Sequence, residues 1–248
     1  MEYYCASHVG MVRKNNEDYC MGEIIESEHG EIGIFAIADG MGGYKKGEVA
    51  SRIAAENIII FLKENLLQNG NIKIEYIDDI LKQAYNIINT MVHEKAEGNE
   101  EFSGMGTTLT AAILYKGHVY IANVGDSRGY IYSREAGIIR VTRDHSYVEE
   151  LVERHIITEK EAMSHPKRNE ITRAIGPDPF VIVDIFKRKI EKDEIILLAT
   201  DGLTGCVEDS EIEEIMDSSE DLEYISDSLI NTANETGRDN VSVVLVRA

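Results

Sequence analysis

Four aspartates stand where apolar runs stop. Asp39 ends Ile34–Ala38 and is followed by Gly40, Gly42 and Gly43. Asp201 ends Ile195–Thr200 and is followed by Gly202, Asp126 closes Ala122–Gly125, and Asp239 immediately precedes the Val241–Val246 run. A buried strand that stops at a carboxylate and a glycine turn delivers one charge to one fixed place, and the glycines let backbone carbonyls approach what that charge holds. Each stretch alone reads as an ordinary turn. Together, four such acids point to one shared site, and the chemistry that gathers carboxylates is the binding of a hard cation such as Mg2+ or Mn2+. Two such ions about 3.5–4 Å apart can activate a shared water and neutralise a phosphoryl group under attack. Asp39 is the expected ligand common to both ions, with the Gly40 carbonyl beside it. Arg13, four residues before Glu17 in a polar loop, offers the planar fork that a phosphoryl group needs.

Other phosphate chemistries are excluded by the same residues. A cysteine phosphatase needs an arginine six positions after its nucleophile, and those positions after Cys5, Cys20 and Cys206 are Met11, Glu26 and Ile212. There is no GxxxxGK[ST] loop and no GxSxG elbow. The net charge of −20 speaks against nucleic acid as a partner, and with it against a nuclease or phosphodiesterase built on the same acids.

The elements that must position the acids are legible from periodicity. Strands are expected at Glu2–Val9, Tyr19–Ile25, Glu31–Ala38, Gly104–Tyr115, His118–Val124, Tyr130–Ser133, Ile138–Thr142, Val181–Ile190, Glu194–Thr200 and Val241–Arg247. Lys116-Gly117 turns one pair into a hairpin. The strands from Tyr130 are expected to continue that meander, and Val181–Ile190 with Glu194–Thr200 to form another hairpin. Helical spacing marks Gly47–Leu67, with Val49, Ala50, Ile53, Ala54, Ile58, Phe61 and Leu62 inward. It also marks Glu75–Ala96, with Ile77, Ile80, Leu81, Ala84, Ile88 and Met91 inward. Asp209–Met216 and Leu222–Ala233 read as acidic surface helices. Between Arg143 and Pro179 the pattern breaks into a helical piece at Tyr147–His155, a capping-box signal at Thr158–Glu161, and irregular chain.

With a hydrophobic fraction of 43%, three prolines and no linker composition, residues 1–248 are expected to form a single domain. No signal peptide or membrane-length apolar run is expected at the N-terminus or elsewhere, and three distant cysteines fit reduced thiols in a cytoplasm.

At this point the motifs carry a resemblance. Arg13–Asp18, Ala38–Gly43, Ser103–Thr108, Asn123–Arg128, Asp144–Ser146, His165–Gly176, Ala199–Gly202 and Gly237–Ser242 occur in the order of the metal-dependent serine/threonine protein phosphatases of the PPM (PP2C-type) family, in its compact bacterial form. The resemblance spans nearly the whole chain. It implies an α+β fold, an αββα sandwich of two antiparallel sheets flanked by helices, with the metals at one sheet edge. It implies hydrolysis of phosphoserine and phosphothreonine on proteins by a metal-activated water at a two-ion Mn2+ or Mg2+ centre, reversing the work of a bacterial Ser/Thr kinase. By motif position, Asp39, Asp201 and Asp239 hold the first ion, and Asp39 with Gly40 the second. Glu17 and Asp18 order the surrounding waters, and Arg13 grips the phosphate. Asp126 with Asp201 binds a third ion, and a flap of about residues 146–171 lies beside the site. A cytoplasmic monomer acting on phosphoproteins is expected, with neither membrane nor nucleic acid as partner. Met41 stands where animal members of the family carry a histidine, so that histidine's role as general acid is not transferred. A silent phosphoprotein-binding module on the same fold would have lost ligand acids, and here all are present.

Overall fold

The computed structural model describes residues 1–28, 30–42, 46–68, 71–72 and 74–248. Gly43, expected in the glycine turn, lies outside the described residues.

Two antiparallel sheets form the middle of the molecule. The first runs β1 (Glu2–His8), β13 (Val241–Arg247), β12 (Ile195–Ala199), β9 (Arg128–Ser133) and β10 (Gly137–Arg140) in spatial order. The second runs β11 (Asp184–Lys189), β8 (His118–Val124), β7 (Leu109–Tyr115), β3 (Gly30–Met41) and β2 (Asp18–Ser27), with the short β6 (Gly106–Thr107) pairing the end of β3. A further two-residue pair joins β4 (Leu67–Gln68) to β5 (Asn71–Ile72). Helices α1 (Lys46–Leu66) and α2 (Ile77–Glu97) cover the second sheet, and α5 (Asp201–Thr204), α6 (Asp209–Asp217) and α7 (Leu222–Thr236) cover the first. Helices α3 (Tyr147–Glu153) and α4 (Glu159–Met163) lie in the irregular segment.

Strand alternation builds three apolar layers. Ile34, Ala36 and Ala38 of β3 face α1 and α2, whereas Phe35 and Ile37 face the gap between the sheets. In β13, Val244 and Val246 face the same gap and Val243 and Leu245 face the helices. Central strands buried on both faces read as near-continuous apolar runs, as β7 does with all seven residues buried. Full burial of each Ile or Leu contributes about 1.5–3 kcal/mol, so these layers hold the sandwich together. Tyr85 fastens α2 to the sheet, its hydroxyl placed for bonding to the carbonyls of Leu109 (3.1 Å) and Ala122 (2.7 Å).

Most expected elements occur within a few residues of their expected bounds, including the Lys116-Gly117 hairpin and the Thr158 capping box. Three expectations are corrected. β11 and β12 are not a hairpin: β11 pairs β8 in one sheet and β12 pairs β9 and β13 in the other. The strands from Arg128 do not continue the β7–β8 meander, because the chain crosses from the second sheet to the first at Gly125–Ser127. Met91 is 40% exposed, since Val92 takes the inward place on α2.

Candidate metal centre and phosphate site

The gap between the sheets is apolar along most of its length and polar at one end. At that end Ser7 Oγ lies 2.7 Å from Ser242 Oγ, and the Ser242 amide donates to Thr200 Oγ1 at 3.0 Å. Thr200 Oγ1 in turn donates to Asp18 Oδ2 at 2.9 Å. On the second sheet, Thr110 donates to Asn123 at 2.6 Å, and Thr108 Oγ1 lies 2.8 Å from Ser127 Oγ. These hydroxyls satisfy buried polar atoms where the apolar filling stops, and the acids gather beyond them.

Asp39 and Asp18 are register partners on β3 and β2, so their side chains emerge on the same face. That face is the inter-sheet one, since Asp39 follows the odd-numbered Phe35 and Ile37. The Asp39 backbone is fixed from both sides: its amide donates to Thr108 Oγ1 (2.8 Å), and its carbonyl accepts from the Thr108 amide and the Thr107 hydroxyl (both 2.8 Å). Gly40 follows, its amide donating to the Glu17 carbonyl at 3.0 Å. A Cβ at Gly40 would meet the Gly47 carbonyl oxygen at 2.1 Å and the Glu17 carbonyl oxygen at 2.6 Å, so only glycine fits. From the first sheet, Asp201 opens α5 directly after β12, and Asp239 precedes β13. Asp126 is buried at the crossing between the sheets.

The electrostatics show that these acids see one another. Burial pushes the Asp39 carboxyl well above its ordinary range, and the charges of Asp18, Asp201 and Asp126 push it further. Asp18 is pushed up to about 7, by burial first and then by Asp201 and Asp239, against the hydrogen bonds from Ser242 and Thr200. Asp126 is raised by burial and by Asp201 and Asp144, and Asp201 by burial and by Asp239. Glu17 is raised by burial and by Asp239, against the pull of Arg13. Arg13 Nη2 lies 2.8 Å from Asp239 Oδ2 on a half-exposed face.

The structure thus brings together Arg13, Glu17, Asp18, Asp39, Gly40, Asp126, Asp201 and Asp239. Among the described residues the acids do not close into a finished cage of three or more ligands. Asp239 is engaged by Arg13, and Asp39 and Asp201 repel each other across the gap. Two buried oxygens, Asp18 Oδ1 and Asp201 Oδ1, have no hydrogen-bond partner among the described residues. Mutually repelling carboxylates with unpartnered oxygens, and no thiol or imidazole among them, fit a hard divalent ion.

Residues 147–170 are closed at their base by a bridge between Ser146 and Ile171, which gives the expected flap segment a defined root. His145 sits beneath it. Its Nδ1 accepts from the Gly125 amide (3.1 Å), its own amide donates to the Gly125 carbonyl (2.9 Å), and its Nε2 lies 3.1 Å from Asp184 Oδ2. These contacts brace the turn that carries Asp126 as well as the root of the flap segment. Asn240, Thr200, Thr107 and Thr108 all support site residues and were given no role from sequence, although each lies inside or beside a motif. Their partners are distant in the chain, so no local spacing announces them.

Comparison with known proteins identifies the family. The protein phosphatase 2C family profile matches residues 8–245. The serine/threonine phosphatase stp of Listeria monocytogenes serovar 1/2a is 38% identical over 238 residues, covering 96% of this chain and 92% of its own. Protein phosphatase PhpP of Streptococcus pneumoniae strain D39 is 33% identical over 248 residues, covering 99% and 97%. Among solved structures, the serine/threonine phosphatase Stp1 from Staphylococcus aureus superposes with a TM-score of 0.88 at 35% identity, covering 100% of this chain and 94% of its own.

Proposed function

The chain belongs to the protein phosphatase 2C family and is a serine/threonine protein phosphatase; we propose that it works at a centre of two Mn2+ or Mg2+ ions held by Asp39, Gly40, Asp201 and Asp239. The observation that carries this reading is the gathering of acids from both sheets at one polar end of the gap, with Asp18 and Asp201 oxygens unpartnered among the described residues and the half-exposed Arg13 beside Asp239. When bound, such ions supply a water of lowered pKa and neutralise charge on the phosphoryl group.

The protein's own groups do the rest. Asp39, fixed through its amide and carbonyl by Thr107 and Thr108, would be a ligand to both ions, and the Gly40 carbonyl would be a ligand to the second. Glu17 and Asp18 orient water around them, Asp18 being held in place by Thr200. Arg13 exchanges its bond to Asp239 for two oxygens of the phosphate and aims the phosphorus at the acids. Asp126, whose proton affinity the charge of Asp201 raises, would hold a third ion with it. The segment from Ser146 to Ile171 serves as a flap beside the substrate. The substrates are phosphoproteins, among them a cognate bacterial Ser/Thr kinase whose work the enzyme reverses, and the enzyme acts in the cytoplasm as a monomer. Among the described residues no helix is long and apolar enough to cross a membrane.

The test is phosphate release from a phosphothreonine peptide after chelation and after return of Mn2+ or Mg2+, beside DNA and a cyclic nucleotide. Release from the peptide alone, and only with metal, is expected. Full activity in chelator, or preference for the diesters, would overturn the reading. Arg13→Lys, which keeps the charge and loses the fork, should raise KM for the peptide and leave the Mn2+ requirement unchanged.

A further inference from the structure

Asn240 is 4% exposed, and its side-chain amide spends all its bonds on one stretch of backbone. Nδ2 donates to the carbonyls of Val9 (2.8 Å) and Asn15 (2.9 Å), and Oδ1 accepts from the Glu17 amide (2.8 Å). Val9 is on the leg of the 9–17 loop that leaves β1, while Asn15 and Glu17 are on the leg that enters β2. One side chain therefore ties both legs together. The tip between them carries Arg13, and Met11 and Val12 beside it are 69% and 62% exposed.

The same residue is tied to the acid side of the site. The Asn240 amide donates to Asp239 Oδ1 at 2.9 Å, while the other oxygen, Asp239 Oδ2, takes the Arg13 fork at 2.8 Å. The loop also lies in backbone contact with this turn. Gly10 has φ +78°, and a Cβ there would meet the Asp239 carbonyl oxygen at 2.0 Å. On the far side, a Cβ at Gly202 would meet the Asn240 carbonyl oxygen at 1.8 Å, so Asn240 is packed between the loop and the residue after Asp201. An exposed arginine on an unbraced loop would lose side-chain and backbone entropy on gripping a phosphate, and bracing the loop beforehand removes part of that cost.

We propose that Asn240 is a positioning residue, which holds the Arg13 loop at a fixed offset from Asp239 so that the guanidinium meets phosphate already in place. The proposal rests on the reading of Arg13 as the phosphate-binding group. It predicts that Asn240 acts through Arg13 and not through the ions.

The experiment is a double-mutant cycle on the metal-loaded enzyme, with para-nitrophenyl phosphate as assay substrate and inorganic phosphate as competitive inhibitor. Wild type, Asn240→Ala, Arg13→Ala and the double variant are compared, with Asn240→Ser replacing Asn240→Ala if circular dichroism shows that the alanine variant does not fold. The phosphate Ki is expected to rise about tenfold in Asn240→Ala and at least as much in Arg13→Ala, with little further rise in the double variant. Mn2+ binding by calorimetry should stay within about twofold of wild type in Asn240→Ala. An unchanged Ki accompanied by a lower melting temperature would reduce Asn240 to a structural residue and overturn the proposal. Multiplying effects in the double variant would also overturn it, because Asn240 would then act independently of Arg13. If Arg13→Ala itself left Ki unchanged, the reading of Arg13 would fail and the proposal with it; a normal Ki for Asn240→Ala beside a raised Ki for Arg13→Ala would sink the proposal alone.

Discussion

The buried carboxyl of Asp39, on the second sheet, lies within the field of Asp201, at the end of a strand of the first sheet, and that charge raises its proton affinity beyond what burial alone does. Buried acids that repel one another in this way favour a bound proton, and a divalent ion would replace it. The pair marks where the sheets are joined by chemistry in addition to apolar packing.

Removing one charge from that pair should separate stability from activity. Asp39→Asn or Asp201→Asn relieves repulsion among buried acids, so the metal-free variant should melt no lower than the metal-free wild type. The rise in melting temperature on adding Mn2+ should largely vanish, and turnover should fall on the order of a hundredfold or more. Thermal melts with and without Mn2+, beside phosphopeptide kinetics, check this. A variant with wild-type turnover at low Mn2+ would remove that acid from the site.

The raised acids also set a pH dependence for the metal-free protein. Asp18 rises from an ordinary 3.8 to about 7, and Asp39, Asp126 and Asp201 move the same way. Between the unfolded and folded values the native state binds more protons than the unfolded chain, so stability falls as pH rises through that window. The metal-free protein should melt higher at pH 5.5 than at pH 7.5. Mn2+ needs the deprotonated acids, so its stabilising effect should run the other way and be larger at pH 7.5. Calorimetric scans at the two pH values, with and without Mn2+, decide the matter. A metal-free melting temperature that climbs with pH would contradict the assigned acid cluster.

Asp126 should be separable from the first two ions. Asp126→Ala is expected to remove one weak Mn2+ site from the binding isotherm and leave the tight ones. It should slow phosphopeptide hydrolysis, whose leaving alkoxide needs a proton, more than that of para-nitrophenyl phosphate, whose leaving group needs none. If Asp126 merely braces the Gly125 turn, both substrates should lose rate alike and the melting temperature should drop.

Much of this arrangement is visible in the residues alone. The alternation of Ile34, Phe35, Ala36 and Ile37 marks a strand buried on both faces, but the strand does not stop at Asp39 as expected: it runs on to Met41, because Gly40 and Met41 pair with β6. Pairing partners are harder to read. β11 and β12 sit close in sequence and have hairpin-like spacing, yet they belong to different sheets, because a sandwich offers each strand two possible neighbours and the choice depends on distant chain. Asn240 escaped for the same reason: its side-chain partners lie 223–231 residues away. Inward positions on α2 were legible except at Met91, where a one-residue rotation of the stripe favoured Val92.

The pairing of residues 2–8 with residues 241–247 makes one part of the site depend on late-made chain during synthesis. β1 is an edge strand whose sole neighbour in its sheet is β13, so on a translating ribosome it waits for a partner made more than two hundred residues later. The Arg13 loop waits with it, since Asn240 and Asp239 reach it from the same late stretch. A nascent chain can assemble α1, α2 and most of the second sheet early, whereas β1 and the Arg13 loop meet their partners only once β13 has left the exit tunnel.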